Sequence, residues 1–175
     1  MRKKIFYGWW IVLATHVICM IGYGTWLYSF GVFFKPMSAE FGWTRAMTAG
    51  AYSLRSIEGG IASPVVGWAV DKYGSRGVII VGAIVSGGAF ALMPLVGSLL
   101  GFYLVYGILL SAGMSAMLYL PAWTVIAKWF KRRLSLAMAL LAVGAGFGGL
   151  VCAPASAYLI ANFGWRTAFV VLGVT

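Results

Sequence analysis

Long apolar runs separated by short charged stretches constrain this chain more than any other feature. Five runs cover residues 6–34, 46–70, 77–96, 99–127 and 134–161, and a sixth begins near residue 167. Only 9% of the residues are charged and 62% are hydrophobic, so the chain lacks the charged surface of a soluble domain. A helix of about 20 apolar residues crosses a bilayer. The sequence therefore predicts an all-α membrane protein with five complete transmembrane helices and the start of a sixth.

The sixth run is much shorter than the others, because it extends only from residue 167 to residue 175. At about 1.5 Å per residue it covers roughly 13 Å. The hydrocarbon core of a bilayer is about 30 Å thick. We therefore expect the chain to be a fragment, or the product of an interrupted gene, that ends within helix six.

The positive charges are sorted to one side of the predicted membrane. Because the loops are short, successive helices alternate in direction, which places three cations on one side, namely Lys35, Arg45 and Arg166. The other side carries nine, namely Arg2, Lys3, Lys4, Lys72, Arg76, Lys128, Lys131, Arg132 and Arg133. Cytoplasmic loops are enriched in Lys and Arg, so we expect a cytoplasmic N-terminus and a location in the plasma (inner) membrane. This sorting explains the formal charge of +10 without a nucleic-acid partner.

Few side chains could support acid–base chemistry or hold a metal. The acidic residues are Glu40, Glu58 and Asp71, and the single histidine is His16. These cannot form a set of nucleophile, base and orienting group. The two cysteines, Cys19 and Cys152, lie inside apolar runs and are interpreted as small buried hydrophobic residues. The sequence therefore predicts neither an enzyme nor a cofactor or metal site.

Arg55 and Glu58 form a charge pair inside the second predicted helix. A charge at the centre of a membrane helix costs about 2.5–3.5 kcal/mol on insertion scales, so both side chains must face protein or water. Their spacing of three residues allows an ion pair on one helix face. Alternatively, Arg55 binds a carboxylate substrate and Glu58 masks it when the site is empty, or the two belong to a gate at a domain interface. The sequence favours the pair or the gate over direct substrate contact.

His16 is a further polar side chain within an apolar run. Histidine exchanges protons near neutral pH, which makes His16 a candidate proton relay. A packing residue held by a hydrogen bond is the simpler alternative.

Small residues four positions apart also recur within the runs, a spacing that lets membrane helices approach closely. These pairs are Ser63 with Gly67, Gly82 with Ser86, Gly107 with Ser111, and Gly144 with Gly148.

A charged motif lies between the second and third predicted helices. Gly67, Asp71, Lys72, Gly74 and Arg76 have the spacing Gly-x-x-x-Asp-Lys-x-Gly-x-Arg. Gly67 permits close approach of a neighbouring helix, and Gly74 permits a tight turn. The motif resembles the gating loop of the major facilitator superfamily at all five constrained positions. In that family the loop latches two domains together and helps to gate the switch between inward-facing and outward-facing states.

This resemblance implies that residues 1–175 form the N-terminal six-helix half of a twelve-helix transporter, truncated within helix six. In that superfamily helices one and four line the central cavity, which lies near the midplane between the halves. The candidate cavity residues are Tyr23, Trp26, Tyr28, Tyr119 and Trp123. Core packing explains these aromatic residues equally well. One half cannot enclose that central site, so we expect this fragment to be inactive without the missing C-terminal half or a second copy.

Further stretches are similar to the monocarboxylate transporters and their oxalate/formate-exchanger relatives. These are residues 7–10, 32–35, 41–46 and 120–137. The chain departs from that pattern at Leu134 and Ala139, which replace a basic residue and a glycine. The resemblance implies a secondary transporter that moves a small organic anion such as a monocarboxylate by alternating access. The chief alternative is a non-transporting membrane protein, derived from a broken carrier gene, with a structural or regulatory role.

Overall fold

The computed structural model describes residues 7–174, apart from the side chain of Tyr119, and this part of the chain is helical almost throughout. The N-terminal cations Arg2, Lys3 and Lys4 of the charge count lie outside the described residues. The helices are α1 (Gly8–Tyr23), α2 (Phe30–Phe41), α3 (Arg45–Tyr73), α4 (Ser75–Leu92), α5 (Leu99–Phe102), α6 (Ser111–Met117), α7 (Tyr119–Trp129) and α8 (Leu134–Val174). Two π-helical segments, Gly24–Tyr28 and Tyr103–Leu110, and a 3₁₀ turn, Met93–Leu95, connect some of them.

Four continuous helical stretches in the described chain are long and apolar enough to cross a membrane. They are Gly8–Phe41, Ser75–Leu95, Leu99–Trp129 and Leu134–Val174. The predicted all-α class with apolar membrane helices is therefore confirmed. The second predicted crossing, residues 46–70, lies within α3, which is 29 residues long but less apolar because it carries Arg55 and Glu58. The predicted count of five crossings is accordingly not confirmed.

The 41 residues of α8 form two helices that meet at Gly164. This glycine has φ 79° and ψ 160°, a non-helical conformation that L side chains rarely adopt. After it the chain turns back along α4, because Arg166 contacts Pro94 and Gly173 contacts Phe90. The boundary between the fifth and sixth predicted helices therefore falls at Gly164. A second glycine with positive φ, Gly42 at 66°, ends α2.

Contacts between helices fix their relative directions. The α1 helix runs parallel to the first part of α8, since His16 bonds to Leu140 and, further along, Ser29 bonds to Ser156. The α1 and α7 helices are antiparallel, because Trp9 at the start of α1 packs on Phe130 just after the end of α7.

The α4 helix packs against α6 in the antiparallel sense. A Cβ atom at Gly82 would contact Ala116 and Met117, and Gly113 approaches Ser86. The start of α4 therefore lies at the same end of the bundle as the end of α7. This arrangement places the two segments that carry the basic residues, 72–76 and 128–133, at one end of the bundle, as the charge count predicts. Glu40 and Arg166 lie at the other end.

A neighbouring helix lies close to a glycine at three of the four predicted small-residue pairs, and at two of these, those of Gly82 and Gly148, the nearest atoms are backbone atoms. A Cβ atom at Gly82 would lie 2.8 Å from the Gly113 carbonyl oxygen, and one at Gly107 would lie 2.9 Å from a methyl carbon of Leu54. Gly148 faces the backbone of Met20. The fourth pair differs, because nothing among the described residues lies within 4 Å of a Cβ atom at Gly67. That face of α3 is open.

The outward surface of the bundle is apolar. Ile84 on α4 is 69% exposed and Leu150 on α8 is 71% exposed, in the middle of long apolar helices. Water would hydrate such faces poorly, whereas lipid tails solvate them, and a helix satisfies its interior backbone groups within its own segment. The outward faces are therefore suited to the hydrocarbon core of a bilayer.

Candidate functional site

A cavity of about 360 Å³ lies between the first helical stretch, α3 and the region where α6 meets α7. Its polar lining consists of the side chains of Tyr23, Trp26, Arg55, Ser63 and Ser115, and the remainder of the wall is largely apolar. Arg55 is the tenth residue after the start of α3, well inside the helix. The cavity thus surrounds a cation at a depth where charge is costly.

Two aromatic rings hold the Arg55 guanidinium. Its Cζ atom lies 4.0 Å from the ring centroid of Trp26 and 4.4 Å from that of Tyr52. Such cation–π contacts contribute about 0.5–2 kcal/mol each, more where water is excluded. The rings compensate the positive charge through their faces, but they accept no conventional hydrogen bond from the N–H groups at the guanidinium edge.

Two residues that line this cavity each carry a buried N–H donor with no hydrogen-bond partner in the described structure: Arg55 Nη1 and Trp26 Nε1. An unpaired buried donor is costly, and native structures leave few of them. Guanidinium and indole nitrogens donate and do not accept, so their natural partner is an oxygen acceptor. A carboxylate is an acceptor at both oxygens and would also neutralise the arginine.

The position of Trp26 depends on the two π-helical segments. Trp26 lies in Gly24–Tyr28, and the hydroxyl of Tyr106, in Tyr103–Leu110, donates to the Trp26 carbonyl oxygen at 3.0 Å. The Ser29 hydroxyl donates to the Gly24 carbonyl at 2.8 Å and closes the first segment. Segments of this kind are rare and occur frequently at functional sites. Here two of them meet beside Arg55.

Glu58 turns away from Arg55. Its Oε2 atom accepts a long hydrogen bond of 3.5 Å from Ser115, and its side chain lines a separate groove of about 970 Å³ that is otherwise apolar. Within residues 7–174 the structure has one salt bridge, and it joins Arg166 to Glu40 rather than Arg55 to Glu58. The ion pair that the three-residue spacing allows is thus not formed, because Trp26 and Tyr52 hold the guanidinium on the side facing α1.

The other predicted cavity residues are divided between sites. Tyr23 lines the Arg55 cavity and also a smaller one of about 200 Å³, which Tyr28 and Trp123 share. Tyr28 packs on Gly149, where a Cβ atom would lie 2.8 Å from the tyrosine ring. The side chain of Tyr119 lies outside the described structure. Tyr23 and Trp26 are therefore brought to Arg55, whereas Tyr28 and Trp123 are not.

His16 connects two helices. Its Nδ1 atom lies 2.7 Å from the carbonyl oxygen of Leu140, and since a carbonyl only accepts, Nδ1 carries the hydrogen and donates it. His16 precedes Trp26 by ten residues, or about 15 Å along the helix. The histidine therefore joins α1 to α8 at some distance from the Arg55 cavity.

Comparison with known protein families agrees with a bundle of apolar membrane helices. A profile described as Major Facilitator Superfamily matches residues 12–175. The chain belongs to the Major Facilitator Superfamily. It is thus an integral membrane protein of a transporter family, in contact with the lipid bilayer, and the predicted family is confirmed.

Similar proteins within the superfamily include monocarboxylate transporters. Monocarboxylate transporter 11 of Homo sapiens is 32% identical over 167 residues, which is 95% of this chain and 35% of that protein. Monocarboxylate transporter 13 of Bos taurus is 30% identical, over 95% of this chain and 38% of that protein. The uncharacterised MFS-type transporter YcxA of Bacillus subtilis (strain 168) is 28% identical, over 99% and 42%. The chain spans between a third and a half of the length of these relatives.

The motif that resembles the superfamily's gating loop forms the turn from α3 to α4. Gly74 has φ 79° and ψ 150°, so a residue with a side chain would be strained at this turn. The Lys72 Nζ atom lies 4.8 Å from the Trp68 ring centroid. The side chains of Asp71 and Arg76 are exposed. Together with the open face at Gly67, these residues form a surface that the described chain does not cover.

A polar cluster at the opposite end was missed by the sequence analysis. Arg166 Nη2 lies 2.6 Å from Glu40 Oε1, and Trp165 Nε1 donates to Glu40 Oε2, also at 2.6 Å. Arg166 Nε donates to the Pro94 carbonyl at 3.3 Å. The cluster connects α2, the turn after α4 and the last part of α8. The sequence Phe-Gly-Trp occurs at 41–43 and again at 163–165, and this repeat was the available signal of the cluster. In both copies the glycine has positive φ.

Proposed function

We propose that this superfamily member is one half of a secondary active carrier that moves a small organic anion, such as a monocarboxylate, by alternating access. The observation that carries the proposal is a pair of unpaired N–H donors, Arg55 Nη1 on the guanidinium and Trp26 Nε1 on the ring that holds it. This assigns Arg55 to direct contact with the substrate. The sequence alone favoured an ion pair or a gate, but Glu58 is engaged elsewhere.

The chemistry of the cavity supports a carboxylate over a neutral solute. Arg55 Nη1 and Trp26 Nε1 offer one donor for each oxygen of a carboxylate, and a charge-assisted hydrogen bond is about twice as strong as a neutral one. A volume of about 360 Å³ lies near the lower end for ligand pockets, which suits a small solute. Met114, Leu118 and Leu120 in the wall would contact its alkyl part.

Alternating access would need a second half. The relatives are more than twice as long as this chain, and superfamily carriers bind substrate between two halves. We propose that residues 1–175 are the N-terminal half and that Gly67, Asp71, Lys72, Gly74 and Arg76 form a latch against the partner half. The open face of α3 at Gly67 supports this assignment. The half would not transport by itself, and a second copy is the alternative partner.

The charge distribution supports an orientation for the carrier. The basic end of the bundle, with residues 72–76 and 128–133, would face the cytoplasm. The N-terminus would lie on the same side, because Trp9 near the start of α1 packs on Phe130. We propose the plasma (inner) membrane as its location. His16 stays a candidate proton relay, although its bond to Leu140 supports a role in packing.

Ligand binding by the purified chain in liposomes tests the proposal before any transport is measured. We expect labelled formate, acetate or L-lactate to bind, and lactamide, the neutral counterpart of lactate, to bind at least tenfold more weakly. The variant Arg55→Gln should lose about ten- to a hundredfold in affinity, since a hydrogen bond to a charged group contributes about 1.5–3 kcal/mol. Binding of none of the three carboxylates contradicts the proposal.

The matched control is Arg45→Gln, which removes the same charge from the same helix, ten residues away at an exposed position. It should bind the carboxylate as the unchanged protein does, and equal losses in the two variants would refute a specific site. Uptake is then measured with and without a chain that supplies six further helices. We expect uptake only with both, whereas binding without uptake in the completed protein would favour a non-transporting regulatory role.

A further inference from the structure

A cleft of about 500 Å³ lies at the basic end of the bundle, where α7 ends and α8 begins. We call it the basic cleft. It is lined by Trp9, Lys128, Trp129, Phe130, Lys131, Arg132 and Arg133. Four of these seven side chains are cations and the other three are aromatic. The cleft is separate from the Arg55 cavity, and neither the superfamily match nor the proposed carrier function assigns it a role.

The local sequence creates the cleft by interrupting the helix with an aromatic anchor. Phe130 has extended backbone angles of φ −112° and ψ 113°, which ends α7. Its side chain is only 6% exposed and packs edge-on against Trp9 with ring centroids 5.1 Å apart. Tyr7 packs on Trp129 at 5.4 Å. These contacts fix the turn, so Lys131, Arg132 and Arg133 follow as a short exposed bend before α8.

The cations of the basic cleft are not neutralised by the rest of the described protein. Among residues 7–174, no acidic residue lines the cleft. The salt bridge within residues 7–174 joins Glu40 to Arg166 at the opposite end of the bundle. Asp71, the acid at the basic end, lies in the last turn of α3 and does not line the cleft. Three successive cations beside Lys128 repel one another, and a bound anion would relieve that repulsion.

We propose that the basic cleft binds the phosphate headgroup of an anionic phospholipid from the adjoining leaflet. Tryptophan side chains favour the headgroup depth, and Trp9 and Trp129 frame the cleft at the end of apolar membrane helices. Basic pockets between membrane helices are suited to anionic headgroups. The four cations contact the phosphate, and the rings of Trp9 and Trp129 contact the glycerol and the first methylenes of the acyl chains.

Lipid retention by the purified full chain in a neutral detergent tests this proposal. Phosphatidylglycerol and phosphatidylcholine are titrated in turn, and bound lipid is counted by native mass spectrometry. We expect phosphatidylglycerol to bind at least tenfold more tightly. The variant Lys131→Gln/Arg132→Gln should lower that preference about tenfold, whereas the charge-preserving variant Lys131→Arg/Arg132→Lys should retain it.

The matched control removes one lysine and one arginine at the same end of the bundle but outside the basic cleft. In the variant Lys72→Gln/Arg76→Gln the preference for phosphatidylglycerol should stay within twofold of the unchanged protein. An equal loss in both double variants would indicate general attraction to a basic surface and would overturn the site. Inorganic phosphate that competes as well as the lipid would assign the cleft to soluble anions, which also contradicts the proposal. If the first double variant does not fold, the exposed single variant Arg133→Gln provides the comparison.

Discussion

Gly148 lies where the backbones of α1 and α8 touch. A Cβ atom built on Gly148 would clash with the carbonyl oxygen of Met20 and would lie 2.9 Å from the amide nitrogen of Gly24. Both neighbours are backbone atoms, so no side-chain rotation can make room. The substitution Gly148→Ala therefore has to separate the two helices, which also strains the nearby hydrogen bond of 2.9 Å between Ser29 and Ser156.

The expected cost follows from comparison with Gly146 on the same helix. Nothing lies within 4 Å of a Cβ atom at Gly146, so Gly146→Ala adds no clash and gains about 0.5–1 kcal/mol from alanine's better helix propensity. Overpacking costs about 1–3 kcal/mol. Gly148→Ala gains the same helix propensity, so the two variants should differ by the overpacking cost alone, about 1–3 kcal/mol in the free energy of unfolding. That difference is roughly five- to 150-fold in the unfolding equilibrium constant.

Unfolding in mixed micelles with increasing dodecyl sulfate, followed by circular dichroism, measures both variants against the unchanged protein. Gly148→Ala should unfold at a clearly lower detergent fraction, and Gly146→Ala at the same fraction or a higher one. Equal midpoints for the two variants would refute the close approach of α1 and α8. Equal midpoints would also contradict the inference that this packing positions the Gly24–Tyr28 segment beside Arg55.

Three further predictions use the same unfolding assay. His16→Asn should preserve stability because the asparagine amide can take the place of Nδ1 as donor to the Leu140 carbonyl oxygen. His16→Leu should lose about 1–2 kcal/mol of unfolding free energy, and equal losses in the two variants would refute the hydrogen bond. Gly74→Ala should cost about 1–3 kcal/mol because its φ of 79° with ψ of 150° suits glycine, and Gly77→Ala should cost nothing comparable. Glu40→Gln should lower the stability less than His16→Leu does, because the side chains of its ion pair are 40–47% exposed, and a loss as large as that of His16→Leu would contradict this expectation.

The helical architecture was accessible from the sequence because lipid imposes strong constraints. Apolar runs of sufficient length and the cations between them predicted the membrane helices and their sorted basic end. The break at Gly164 falls between the predicted runs 134–161 and 167–175. The contact of Gly144 and Gly148 with α1 follows from the same logic, since only small residues allow such an approach.

The cavity was less accessible because it depends on contacts between distant residues. The three-residue spacing of Arg55 and Glu58 indicates a pair on one helix, but Trp26 from another helix competes for the guanidinium. The π-helical segment that carries Trp26 has no sequence motif of its own, and it forms where Gly24 packs on Gly148 and Cys152. Glu40 and Trp165, 125 positions apart, meet only after the turn at Gly164.

The proposed contact between a substrate carboxylate and the buried indole N–H of Trp26 can be tested directly. The chain has eight tryptophans, so ¹⁵N-labelled indole resonances can be recorded and the signal of Trp26 assigned from its loss in Trp26→Phe. On addition of L-lactate, the Trp26 signal should move downfield as its N–H gains an acceptor, and it should not move with lactamide or in Arg55→Gln. A Trp26 signal that stays in place while a carboxylate binds, or that moves equally with lactamide, would contradict an anion site at Arg55.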